Sequence, residues 1–225
     1  MSEFERRTSC HFFTRTIPFC KKYRVFHVVF ESRRHYIEYM PEKWTYETLA
    51  QADRATLENI LRTGKPPDIE KLNGYIYCGW NHELFGRLLS GTKFKKGFWK
   101  KDGANSGYNE TVIQDRQKYL GQWEVGLHKV RPNQLGYFKV GYVKDTPPTK
   151  LNAPYRHLAT FDYGVPYHKW YLIFFSLVRD FVVLPNEDDH SLMLCKAYLR
   201  FSENFHIFYC YFLLGHRQGI RYLPW

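Results

Sequence analysis

The sequence predicts a mainly β protein, an antiparallel barrel or sandwich with a helical extension, and three observations carry that expectation. The 225 residues include 18 Tyr, 18 Phe and 6 Trp, and such aromatic bulk suits sheets better than helices. From Leu72 onward, short aromatic and β-branched segments recur between turn signals, the spacing of antiparallel strands. Hydrophobic residues make up 44% and charged ones 24%, a composition that folds around a core and excludes disordered, polyelectrolyte and collagen-like chains. The length fits one large domain, or one domain with an extension.

In chain order, residues 1–70 read as the extension, with short strands at Arg24–Phe30 and His35–Met40 that form a hairpin. Pro41 ends it. Thr45–Thr63 reads as a helix: Thr45 caps, Glu47 suits the first turn, Leu49, Leu57, Ile60 and Leu61 share a face, and Gly64 with Pro66 and Pro67 stops it. Residues 71–217 read as the β body, with strand-like segments at 75–80, 87–99, 122–130, 137–143, 155–163, 191–201 and 205–214; residues 218–225 are a tail. Asp102-Gly103, Asn105-Ser106-Gly107, Pro132-Asn133, Pro147-Pro148 and Glu203-Asn204 separate them. Pro166–Val178 starts with proline and is apolar nearly all round, the pattern of a buried helix against one end of the sheet. Phe205–Leu214 is apolar on both faces, so the outer face of the sheet needs a cover from the extension, the helices or a partner protein.

Over about 145 residues, Leu72 to Arg217, the order of short motifs resembles a largely uncharacterised, mostly bacterial family of lipocalin-like (calycin) β-barrel domains. The residues that carry the resemblance are Leu72-Asn73-Gly74-Tyr75, Phe94-Lys95-Lys96-Gly97-Phe98, Gly107-Tyr108-Asn109, and Phe161-Asp162-Tyr163 before Val165-Pro166. They continue with Val178-Arg179-Asp180, the stretch Leu192 to Arg200, and Tyr211-Phe212-Leu213-Leu214. Cys195 stands where the family pattern has glycine. The resemblance implies a lipocalin-like antiparallel barrel with one helix packed against it. It brings no catalytic residues, and such barrels hold small hydrophobic molecules or serve as interaction scaffolds.

The formal charge is +11, and five of those charges fall within nine residues: Lys93, Lys95, Lys96, Lys100 and Lys101, interleaved with Phe94, Phe98 and Trp99. Such a cluster attracts an anionic surface, an acidic protein or an anionic phospholipid. The plainer account is a strand with its lysines in water and Phe94 and Phe98 in the core. The recognisable RNA-binding patterns are missing, which makes nucleic acid an unfavoured partner. No run of about 20 apolar residues exists, and MSEFERRTSCHFF has no apolar stretch of a secretory signal. Five scattered cysteines (Cys10, Cys20, Cys78, Cys195, Cys210) favour a reducing compartment over a disulfide scaffold.

Nucleotide-binding, zincin and hydrolase motifs are absent; His82-Glu83 lacks the second histidine a zinc site needs. No metal and no cofactor is expected. Asp162 and Lys196 each interrupt an apolar strand, where an unpaired inward charge costs several kcal/mol; as a buried pair they are structural, ligand-orienting or, with Tyr198, catalytic. The favoured function is a non-catalytic accessory or scaffold subunit of a larger assembly at the mitochondrial inner membrane, with a cytoplasmic location as the alternative. One rival is a carrier of a lipid, isoprenoid or pigment in a cavity lined by Tyr75, Tyr77, Trp80, Phe161, Tyr163 and Tyr198. The other is an isomerase or cyclase working through Asp162, Lys196 and Tyr198, which requires both charges to face a pocket.

Overall fold

The computed structural model describes residues 23–25, 39–41, 43–115, 117–128, 131–165 and 170–224. They fall into two units, divided between Lys43 and Trp44. In the first, β1 (Tyr23–Val25) pairs antiparallel with β2 (Tyr39–Pro41), Arg24 opposite Met40. The rest of the expected hairpin, with Cys10 and Cys20, lies outside the described residues.

The second unit opens with α1 (Tyr46–Gln51) and α2 (Arg54–Thr63). One helix was expected over 45–63. The chain breaks it at Ala52, which is extended, because Asp53 caps a fresh start by accepting from the Thr56 N–H at 2.7 Å. Thr45 caps α1 in the same manner, through the Thr48 N–H.

Then come β3 (Tyr75–Asn81), α3 (Leu84–Ser90), β4 (Lys93–Lys101) and β5 (Ala104–Thr111). A short pair, β6 (Leu127–His128) with β7 (Arg131–Pro132), precedes β8 (Gln134–Tyr142). β9 (Ala159–Asp162), β10 (Val178–Val183), β11 (Met193–Arg200) and β12 (His206–Gly219) complete the unit. The strands β3-β4-β5-β8-β9-β10-β11-β12 pair antiparallel in that order, and β12 returns to β3. The result is an eight-stranded closed antiparallel barrel, an architecture compatible with the lipocalin-like expectation.

Three expected elements differ. The 87–99 segment divides at Gly91, whose φ of +83° ends α3 in a conformation that suits glycine. β5 runs through residues read as turns, because Gly107 faces inward and leaves its place to the Phe138 ring; a Cβ there would stand 2.0 Å from that ring. The expected helix Pro166–Val178 is a 3-10 helix over Trp170–Leu177 that passes directly into β10 at Val178; residues 166–169 lie outside the described ones.

Alternation sorts each strand into an inner and an outer face. On β12, Phe212 and Leu214 point into the barrel core, whereas Tyr211 and Leu213 join Phe181, Val183 and Leu194 in an outer layer under Leu49, Leu57 and Leu61 of α1 and α2. The helices are therefore the cover that the two-faced strands required, and each such Leu or Phe contributes about 1.5–3 kcal/mol by leaving water. The barrel end where β3 starts is filled by Leu72, Leu184 and Met193, and the Tyr77 hydroxyl donates to the His190 carbonyl at 2.9 Å. No helix among the described residues is long and apolar enough to cross a membrane.

Candidate functional site

The site arises from the same alternation. On β4, Phe94, Lys96 and Phe98 share the inner face; on β10, Val178, Asp180 and Val182 do. Register places Lys96 beside Asn109 of β5, and Asp180 between Phe161 of β9 and Ala197 of β11. The barrel thus carries a charged pair in its interior: Lys96 Nζ lies 3.5 Å from Asp180 Oδ2, with both side chains 2% exposed.

Lys96 is well held. It donates to the Tyr163 hydroxyl, and that hydroxyl also accepts from Asn109 Nδ2 at 3.4 Å, whose amide donates to the Gly136 carbonyl at 3.0 Å. Around its Nζ stand the rings of Phe138 at 4.5 Å, Tyr163 at 5.0 Å, Phe212 at 5.2 Å, Phe161 at 5.4 Å and Phe94 at 5.7 Å. Ring faces attract a cation that has lost its water. Asp180 is less well held: among the described residues no donor makes a hydrogen bond of ordinary geometry to either carboxylate oxygen, and its charged form is favoured by Lys96 at 3.5 Å, by the Tyr163 hydroxyl and by Arg179.

Burial decides the titration of this group. It pushes Lys96 down, against the pull of Asp180. It lifts Asp180 to about 6, against Lys96, Tyr163 and Arg179, and raises the Tyr163 hydroxyl and the Cys195 and Cys210 thiols well above their ordinary values. The thiols are therefore not thiolate nucleophiles at neutral pH.

The pair borders a cavity of about 270 Å³ whose walls are mainly Phe94, Leu135, Val178, Ala197, Cys210 and Phe212. Its outer part is bordered by Ser90 of α3, by Gln114, and by Phe174 and Phe175 of the 3-10 helix. Gln114 is fixed there, since its side-chain oxygen accepts from the Thr92 and Lys93 N–H groups and its amide donates to the Lys93 and Val112 carbonyls. An apolar chamber with an ionic floor can hold a small molecule and orient its polar end. Among the described residues, no group of three or more His, Cys, Asp or Glu is placed to hold a metal.

Of the residues expected to line a cavity, Tyr163 does so, and Phe161 packs on Lys96 below it. Tyr77 belongs to the filled end. Tyr75 is partly buried against the same core, under the Arg217 guanidinium at 4.2 Å. Trp80 and Tyr198 belong to the outer layer under the helices.

The expected inward pair of Asp162 and Lys196 does not form. Asp162 follows the inward Phe161, points outward and pairs with Arg179 at 3.0 Å. Lys196 is outward too, bonded to Glu58 at 2.6 Å and to the Tyr155 hydroxyl at 2.7 Å. Neither charge faces the cavity, so the proposed set of Asp162, Lys196 and Tyr198 does not converge on a pocket.

The lysine cluster is likewise distributed among separate tasks. Lys93 is fully buried on the outer face, bonded to Asp115 at 2.8 Å and over the Trp123 ring at 4.6 Å. Lys96 is inside, Lys100 pairs with Glu70 at 2.7 Å, and Lys95 and Lys101 are half-buried. A flat anionic-surface contact made by all five is thereby replaced. Lys96 was legible in principle, because period two places it with Phe94 and Phe98; Asp180 was hidden by the helix expected up to Val178.

No family model matches the chain, and neither a curated protein nor a solved structure shows significant similarity to it.

Proposed function

We propose that the protein binds a small, mostly apolar molecule inside its barrel. The observation that supports this most is the apolar cavity with the Lys96–Asp180 pair at its floor. A buried ion pair is costly to maintain and less stabilising than apolar residues of similar volume, so its presence beside an open space is accounted for by a ligand that needs a polar anchor.

The supports for an accessory subunit of a larger, membrane-associated assembly are mostly used within the chain, since α1 and α2 cover the outer strands and Lys93, Lys96 and Lys100 of the cluster pair with carboxylates of the same chain. Its test is the native mass of the chain in gently solubilised extract, where comigration with fixed partners would favour it.

The test of the binding function is titration with the neutral fluorescent probe N-phenyl-1-naphthylamine. The protein is expected to bind it, and Ala197→Phe, which fills the cavity from β11, is expected to abolish binding while keeping the urea midpoint. Equal binding by the two proteins, or none by the natural one, overturns the proposal.

A further inference from the structure

Resting on that binding function, we infer that the ligand carries a neutral hydrogen-bond donor, a hydroxyl group on an apolar body, and that Asp180 is its acceptor. Asp180 is 1% exposed and borders the cavity; Lys96 at 3.5 Å and the Tyr163 hydroxyl are its polar neighbours, and among the described residues no donor makes a hydrogen bond of ordinary geometry to either carboxylate oxygen. A buried carboxylate oxygen without a donor forfeits a hydrogen bond, and a donor brought by the ligand restores it.

The neighbours restrict what that donor is. Lys96 has its charge compensated by Asp180, by the Tyr163 hydroxyl and by five ring faces. It therefore has little left to offer a carboxylate, which would add a second negative charge beside Asp180 in a poorly screened interior. An ammonium would meet Lys96 with the same difficulty in reverse. A hydroxyl brings a donor and no charge, so an apolar alcohol fits and a fatty acid or amine of the same length does not.

The experiment measures displacement of N-phenyl-1-naphthylamine from the full chain by 1-decanol, decanoate and decylamine at neutral pH. A hydrogen bond to a charged acceptor corresponds to about ten- to a hundred-fold in affinity, and 1-decanol is expected to displace the probe at concentrations lower by that factor than the other two require. Asp180→Asn leaves Lys96 without its paired carboxylate and is expected to shift the preference to decanoate by about ten-fold. If that variant does not fold, Lys96→Met/Asp180→Leu replaces both charges with apolar groups of similar size and is expected to bind the probe but lose the alcohol preference. Probe binding with decanoate or decylamine as effective as 1-decanol overturns the assignment of Asp180 alone. Failure of the natural protein to bind the probe overturns the binding function beneath it.

Discussion

Replacing Lys96 with methionine is expected to change how stability depends on pH, and the interior geometry gives the size of the effect. In the natural protein Asp180 is lifted from 3.8 to about 6. A carboxyl whose folded pKa is raised holds its proton more tightly when folded, so its stabilising contribution is complete below about pH 3.8 and is lost as pH rises through about 6. At 1.36 kcal/mol per pKa unit that loss totals about 3 kcal/mol and then levels off. In Lys96→Met the ammonium 3.5 Å away is gone, the Asp180 pKa climbs past 6, and the loss continues at about 1.36 kcal/mol per pH unit. The variant's deficit relative to the natural protein should therefore widen at that rate above pH 6, toward the roughly 3–5 kcal/mol of a broken buried pair. Lys96 itself acts in the same sense. Burial lowers its pKa, so the natural protein gains stability as pH rises above the folded value, a gain the variant lacks. Cys195 and Cys210, which also face Asp180, stay neutral thiols throughout. Urea unfolding at pH values from about 5.5 to about 8.5 reads the difference directly, and Lys96→Met/Asp180→Leu should remove the widening. A deficit that stays constant across that range would refute an interior Asp180 facing Lys96.

Gly107→Ala places a Cβ 2.0 Å from the Phe138 ring, so a loss of about 1–3 kcal/mol in urea unfolding is expected; an unchanged midpoint would show that β5 and β8 are not packed as described. Lys93→Ala removes the bonds to Asp115 and to the Leu120 carbonyl, and faster amide exchange in residues 115–124 with little change in the barrel strands is the expected signature. Glu58→Gln weakens the anchor of Lys196 and of the Tyr155 and Tyr211 hydroxyls between α2 and the barrel, with an expected cost of about 2 kcal/mol. Burial pushes the Glu58 carboxyl up, but Lys196, Tyr211 and Tyr155 together hold it below its ordinary value, so this contribution is present above the ordinary carboxylate range and fades as pH falls through the lowered folded pKa. Loss of the same magnitude at acidic and neutral pH would count against that. Cys78, Cys195 and Cys210 are buried and should resist iodoacetamide near neutral pH until urea unfolds the chain; rapid alkylation of Cys195 in the native protein would contradict an enclosed β11.

The strands that announced themselves in the sequence are those whose inner and outer faces are both apolar, such as β12, or that are rich in aromatic residues between turn signals, such as β3 and β8. β5 gave no such signal because its inward positions are Gly107 and Asn109, a small residue making room for Phe138 and a polar one serving Tyr163. β10 was masked by the apolar run before it, since Trp170–Leu177 and Val178–Val183 share a composition and only backbone geometry separates them. The site suffered from both failures. Its aromatic half was visible in Phe161 and Tyr163, but choosing between Asp162 and Asp180, or between Lys196 and Lys96, requires the register of β9, β10, β11 and β4. A shift of one residue moves a charge from the interior to the surface.

The junction of β3 with β12 has a consequence for how the chain acquires its structure. β3 pairs early with β4 on one edge, but its other edge finds a partner only in β12, where Asn81 lies opposite Phe212, so on the ribosome the first barrel strand waits, with one edge bare, until nearly all the others have been made. Every intermediate before that pairing is an open curved sheet with two free edges, the form most prone to pair with a neighbouring nascent chain. Joining strands so distant in sequence also slows the final step, which makes the last strand the natural point for a chaperone to act and for truncation to be most damaging.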